Sequence, residues 1–389
     1  MRNLNKMSSG FIKKSMTRTS ISFLSFLIIF SLILPTGCAK KEKEIKIGVI
    51  LPLTGEMASH GEDAKKGITL AIELKNQEGG INGKKIVAIF EDDKMNPQNG
   101  VSAFRKLTTI DKVQVVIGGL GSSVALAIAP IAQKQNVVFI SPTASHPRLP
   151  LVGDYIFRIW ASDIFEGKQM AKYAYNKLKL RKVSILFVNN DFGRGISKIF
   201  SQEFKSLGGQ ILTKDSYEQG DTDFRAQLYR IKKANPDAIY LPGYYQEVAR
   251  ILKQIKELGI KSQPLSTTPV ENPKLIELAG NAADGLIYTR PAFDPKRPTK
   301  KYREFMSLFK KRYGVDPGIA AAYAFDATNV ILECIQKVGY SAPRIKKALL
   351  KIKDYEGATG KISFDSHGDV IRDFDLFIVK NGKFIKYDE

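Results

Sequence analysis

The chain has 389 residues, 43% of them hydrophobic, a net charge of +21 and two cysteines. A chain of this size and apolarity buries a sizeable core and, at ordinary domain size, divides into two domains. The positive charge is spread along the chain, with one local concentration at Pro295–Arg312. That is the pattern of a solvated surface or of a face turned to a membrane partner, not of a nucleic-acid binder.

Met1–Ser20 carries Arg2, Lys6, Lys13, Lys14 and Arg18 and no acid. The apolar run Ile21–Leu34 follows, too short to span a membrane comfortably, and then Leu34-Pro-Thr-Gly-Cys38. This is the layout of an export signal. Cys38 directly after Gly37 looks like a lipobox cysteine, although Pro35 stands where such a motif usually has Leu. The expectation is a signal peptide over 1–37, a lipidated tether over 38–43 and work outside the cytoplasm, which disfavours cytosolic enzymes and gene regulators. Without the leader the net charge is +16. Apart from Cys38 there is only Cys334, in the apolar stretch Ala324–Val338, so no internal disulfide forms and Cys334 reads as a small buried hydrophobe. His60, His146 and His367 lie far apart and have no metal-ligand spacing.

After the tether, strands and helices alternate. Ile45–Pro52, Lys85–Phe90, Val113–Ile117 and Val137–Ser141 read as strands. His60–Asn76, Pro97–Ile110 and Ser122–Gln135 read as the helices between and after them. The pattern restarts with helices at Phe165–Leu178, Ile196–Leu207, Phe224–Ala234 and Tyr245–Leu258. Its strands are Lys182–Val188, Gln210–Asp215, Asp237–Leu241 and Gly285–Thr289. Helices follow at Lys300–Tyr313, Ala320–Val338 and Arg344–Ile352. The end changes character: Gly360–Phe364 and Phe374–Val379 read as strands joined by a turn around His367-Gly-Asp369, and Lys380-Asn-Gly-Lys383 as a hairpin. The fold class is α/β, two doubly wound parallel-sheet units with a terminal β segment.

The chemistry gathers where strands end. Val113–Ile117 runs into Gly118-Gly-Leu-Gly-Ser-Ser123 and a helix. Free N–H groups and the partial positive charge of a helix start, with capping serines Ser122 and Ser123, suit a carboxylate or phosphate. The dinucleotide frame fails, because Val124 replaces its third glycine and the next strand ends in Ser141 rather than an acid. In a parallel sheet ligands collect at neighbouring strand ends. Ala144 and Ser145 therefore belong beside Ser122, and His60 offers an aromatic face after the first strand. In the second unit Asn189-Asn-Asp-Phe-Gly193 and Gly243-Tyr-Tyr-Gln246 supply Phe192, Tyr244 and Tyr245, which either pack in the core or line a site. No G-x-S-x-G elbow, P-loop lysine or activated serine is present. Acid-base pairs stay open, but nothing in the sequence singles one out.

These segments carry a resemblance. Ile47-Gly-Val-Ile-Leu-Pro-Leu-Thr-Gly55, Glu78-Gly-Gly-Ile-Asn-Gly83, Val116-Ile-Gly-Gly-Leu-Gly-Ser-Ser123 and Ile140-Ser-Pro-Thr-Ala-Ser145 match in order and spacing. So do Asp191-Phe-Gly-Arg-Gly195, Gly220-Asp-Thr-Asp-Phe224, Pro242-Gly-Tyr-Tyr245, Arg312-Tyr-Gly-Val-Asp-Pro317 and Tyr323-Ala-Phe-Asp-Ala327. From about Ile45 to Phe384 the chain resembles the periplasmic leucine/isoleucine/valine-binding protein family, the type I solute-binding proteins of ABC transporters. The resemblance implies two lobes joined by three crossovers near Ala161, Pro291 and Gly357. Lobe one would be 44–161 and 292–356, and lobe two 162–291 and 357–389.

It also implies a binding protein rather than an enzyme, without cofactor or metal, a small carboxylate-bearing solute, an ABC permease as partner, a monomer and a place on the periplasmic or extracellular face. By family roles Ser122 holds the ligand carboxylate, Ala144 and Ser145 bind the amino-acid head, and His60 covers it. Phe192 and Tyr244 are the lobe-two aromatics. Thr268 falls where the amino-acid binders place an acid against the ammonium, and Glu271 lies three residues late. A buried ammonium without an anion is costly. Amino acids, with Glu271 or Glu62 supplying the charge, and ammonium-free carboxylates or amides therefore both stay open. A ligand-sensing subunit for a membrane receptor is the alternative role.

Overall fold

The computed structural model describes residues 44–291 and 299–387. The expected signal peptide, the Cys38 anchor and the tether lie outside the described residues.

The first lobe starts with β1 (Ile45–Leu51), α1 (Ala58–Gln77), β2 (Ile86–Asp92), α2 (Pro97–Thr109), β3 (Val115–Gly118), α3 (Ser122–Gln135), β4 (Val138–Ser141) and β5 (Ile156–Arg158). Its five-stranded sheet is ordered β2-β1-β3-β4-β5 and is parallel throughout. Val115–Gly118 and Val138–Ser141 are buried at every position, as expected of parallel strands covered on both faces. The second lobe runs α4 (Asp163–Lys172), β6 (Lys182–Val188), α5 (Asp191–Ser206), β7 (Gln210–Tyr217), α6 (Arg225–Ala234), β8 (Ala238–Leu241), α7 (Tyr245–Glu257), β9 (Gln263–Ser266), α8 (Pro273–Ala279) and β10 (Ile287–Pro291).

The chain then returns to the first lobe with α9 (Lys300–Tyr313), α10 (Ile319–Val338), α11 (Ala342–Leu349) and the short pair β11 (Tyr355–Gly357) and β12 (Gly360–Ile362). It ends with β13 (Phe374–Lys380) and β14 (Lys383–Lys386) in the second sheet, ordered β14-β13-β10-β9-β8-β6-β7. Only the β10–β13 and β13–β14 pairs of that sheet are antiparallel. The Lys380–Lys383 hairpin closes where its Asn-Gly predicts. Helix α10 shares a core with the first sheet through Tyr323, Ala327, Val330 and Ile331. It crosses α1 closely at Gly67, where a Cβ would lie 2.2 Å from the Ala321 carbonyl oxygen.

Several elements differ from the sequence reading. β5 and β9 were not expected; β9 contains Pro264, which reads as a breaker, yet pairs with β8 and β10 on either side. α5 begins at Asp191 rather than Ile196, because the Asn190 carboxamide oxygen caps it by accepting from Gly193 N at 3.0 Å. Gly360–Ile362 and Phe374–Lys380 belong to different sheets instead of forming one pair.

The third passage between lobes also lies later than Gly357. Asp326 on α10 accepts from Ala358 N and Thr359 N, both at 2.7 Å, and holds this segment on the first lobe. Ile362, Phe364 and Val370 pack into the first core. Arg158, fully buried on β5, grips Asp369 through Nε and Nη2, each at 2.6 Å. The chain reaches the second sheet only at Phe374.

Strand order reverses between β1 and β3 in the first sheet and between β6 and β8 in the second. Such switch points are where open α/β sheets bind ligands.

Candidate functional site

A cavity lies between the two switch points. Its volume, taken where the centre of a water-sized sphere fits, is about 60 Å³. His60, Ser122, Ser145, Phe192, Tyr244 and Thr268 all line it. Ala144 does not: it is buried in the apolar cluster under α3, and its N–H donates to Ser141 Oγ at 3.0 Å.

The first-lobe wall is the start of α3. β3 turns into it through Gly118, whose φ of +144° and whose Cβ position, 2.0 Å from the Ile50 carbonyl oxygen, admit no side chain. The helix is capped by the backbone of Gly121, so the serines do not cap it as expected. Instead Ser122 Oγ accepts from Ser145 N at 3.3 Å and His146 N at 3.2 Å, which pins the β4 loop against α3. Ser123 reaches across the cleft: its Oγ donates to Asp191 Oδ2 at 2.8 Å and accepts from Asp191 N at 3.1 Å. Ser122, Ser145 and the unpartnered N–H groups of the first helical turn together make a wall suited to an anion.

The second-lobe wall is aromatic and acidic. Phe192 in the first turn of α5 stacks on Tyr244 at 6.0 Å, and Asn190 Nδ2 donates to the Tyr244 hydroxyl at 3.1 Å. Both rings are buried, so packing and lining coincide. His60 stacks on Tyr245 across the cleft at 5.3 Å. Desolvation pulls its imidazole down to about 4, so the ring is neutral at physiological pH. Met57, Met95, Leu120, Trp160 and Ile319 give the remaining lining an apolar character.

Thr268 brings an acid with it. Glu166 on α4 lines the same cavity and is 1% exposed. Its Oε1 accepts from Thr268 N at 3.1 Å and Thr289 Oγ1 at 2.7 Å, with Thr268 Oγ1 at 3.2 Å. Burial pushes its carboxyl up to about 7 against these bonds. One turn back, Asp163 is fully buried and is raised to about 8 by burial and then by the Glu166 charge.

The acids considered from sequence are engaged elsewhere. Glu271 accepts from the Tyr288 hydroxyl at 2.8 Å and pairs with Arg290 at 3.3 Å, and Glu62 pairs with Lys65. Both line a wider space of about 670 Å³ beyond His60. Glu166 was missed because nothing near it in sequence marks it: the partners that place it in the site, Thr268 and Thr289, lie 102 and 123 residues on. The helix itself starts at Asp163, two residues before the expected Phe165, with Ser162 Oγ accepting from Ile164 N.

The lobes are drawn together over the cavity. Tyr245 OH and Gln246 Nε2 both donate to the Glu56 carbonyl oxygen, at 2.9 and 2.6 Å. Asn272 Nδ2 donates to Ser59 Oγ at 3.2 Å. Among the described residues no group of three or more His, Cys, Asp or Glu is placed to hold a metal ion.

Comparison with known proteins agrees with this architecture. A protein of Brucella melitensis named Leu/Ile/Val-binding protein homolog 3 is 30% identical over 346 residues, 88% of this chain and 93% of that protein. The solved leucine-binding protein LivK of Thermotoga maritima is 32% identical, with a TM-score of 0.84 over 88% of this chain and 98% of its own. LivJ of Streptococcus pneumoniae, a branched-chain amino acid transporter substrate-binding protein solved in complex with isoleucine, is 30% identical with a TM-score of 0.83 over the same shares. The periplasmic binding protein family model matches residues 44–383. With two doubly wound lobes, three passages between them and a match that spans nearly every described residue, the chain belongs to the periplasmic binding protein family.

Proposed function

We propose that this protein is the extracytoplasmic solute receptor of an ABC transporter of the branched-chain amino acid type. It closes its lobes on one small α-amino acid and delivers it, unaltered, to a membrane permease. The observation that carries this reading is the polarity of the cavity. A helix start with two serines forms one wall, a buried carboxyl the other, and apolar side chains lie between. A zwitterion with an aliphatic side chain has that order of charge and apolarity. Relatives named for leucine, isoleucine and valine lend support.

The lobes, in this reading, are 44–161 with 299 to about 370, and 162–291 with about 371–387. The receptor works as a monomer, held to the membrane by a lipid on Cys38 in keeping with its basic leader and apolar run. Calorimetry and thermal-shift measurements with leucine, isoleucine and valine test the ligand class. A ligand at a thousandfold its Kd stabilises the folded state by about 4 kcal/mol. Binding of an aromatic acid or a dicarboxylate, with none of the three amino acids bound, would reject it.

A further inference from the structure

We infer that Glu166 supplies the anion for the ligand ammonium, from the first turn of α4 rather than from the position after β9 that Thr268 occupies. The inference rests on the amino-acid reading above and says which residue makes it possible.

Three observations converge on this carboxyl. It lines the cavity from the second lobe, on the opposite side from Ser122 and Ser145. Among the described residues its hydrogen-bond contacts, with Thr268 and Thr289, are all at Oε1, and none is at Oε2. A carboxylate held this way is fixed in place by one oxygen and has the other for a further donor. Finally, no cation of the described residues pairs with it; its partners there are threonines. A buried carboxyl costs free energy in its charged form unless it is matched, and an ammonium arriving in the cavity is such a match.

Thr268 then has a role of its own. It orients Glu166 by donating from its N–H, and its hydroxyl, whose one proton goes to the nearer Thr289 carbonyl oxygen at 2.8 Å, lies 3.2 Å from the same carboxyl oxygen. Charge and position are divided between two elements where one acid would combine them. The other nearby acid, Asp163, is not among the residues lining the cavity.

The test is paired calorimetry on the full mature protein and its Glu166→Gln variant, with leucine and its 2-keto acid as probes. Gln keeps an oxygen to accept from Thr268 and Thr289 and removes the charge. Leucine affinity should fall about a hundredfold or more, since one partner of a buried ion pair is lost, while keto-acid affinity holds or rises. Glu166→Asp keeps the charge and should lose less leucine affinity than Gln.

Leucine binding in Glu166→Gln within a few-fold of the unmodified protein overturns the assignment and leaves the amino-acid reading standing. Equal loss of leucine and keto acid in both folded variants shows a purely structural role and also overturns it. Keto acid bound by the unmodified protein and leucine refused rejects the amino-acid reading itself.

Discussion

Asp369→Asn tests the ion pair that fastens the last first-lobe segment before the third passage. Arg158 is fully buried on β5, and its fork meets both Asp369 oxygens at 2.6 Å, while Nη1 donates to the His146 carbonyl at 3.0 Å. Removing one partner of a buried pair typically costs 3–5 kcal/mol, because the other charge is left uncompensated. The Asp369 side chain is 16% exposed, and an amide oxygen can still accept one Arg158 bond. Both facts place the cost at the low end, about 3 kcal/mol. In a chain of this size that corresponds to a drop in Tm of about 5 °C. The assay is thermal and urea unfolding of the ligand-free protein, with Arg158→Met and the double variant completing a cycle. The double variant should be less destabilised than the two singles add to. A loss below about 1 kcal/mol for Asp369→Asn, or full additivity, would refute a coupled buried pair and with it this anchor for residues up to Val370.

Ser122→Ala should act on both stability and binding. It strands the Ser145 and His146 N–H groups, and because those bonds are long the cost is about 1–2 kcal/mol. Calorimetry with leucine should show affinity down about tenfold to a hundredfold through loss of a hydrogen bond to a charged group; unchanged Tm together with unchanged affinity contradicts the assignment. Stability should also fall with pH. Asp163 is held up to about 8, and Glu166, Glu247 and Asp93 up to about 7, all chiefly by burial, against values near 4 in the unfolded chain. The folded state therefore binds more protons between those limits, and its stability declines as pH rises through them. His60 and His146, held down to about 4, act in the opposite sense below about 6.5, so the decline is read cleanly from about pH 6.5 to 8. It amounts to up to about 1.4 kcal/mol per pH unit for each group still protonated in the fold. Urea midpoints of the ligand-free protein that rise across that window would contradict the burial argument.

Local signals in the chain were enough for the alternation of strands and helices and for much of the site. Lys182–Val188, Ser122–Gln135 and Lys300–Tyr313 have the same bounds in sequence and structure, because apolar period and end signals act within one element. Ser122, Ser145, Phe192, Tyr244, Thr268 and His60 line one cavity because parallel sheets bring their ligand-facing loops to one edge, so position after a strand already places a residue.

Tertiary structure decided the rest. β9 exists despite Pro264 because strands on both sides accept it, and β5 is three residues that only pairing with β4 makes a strand. The third passage is set by Arg158 gripping Asp369, residues 211 apart in sequence. Glu166 meets Thr268, 102 residues on, only once α4 lies against the β9 and β10 ends. A carboxyl carries no local mark of its partner. Its burial, its charge state and the ligand group it can match are properties of the packed cleft, where elements distant in sequence exclude water together.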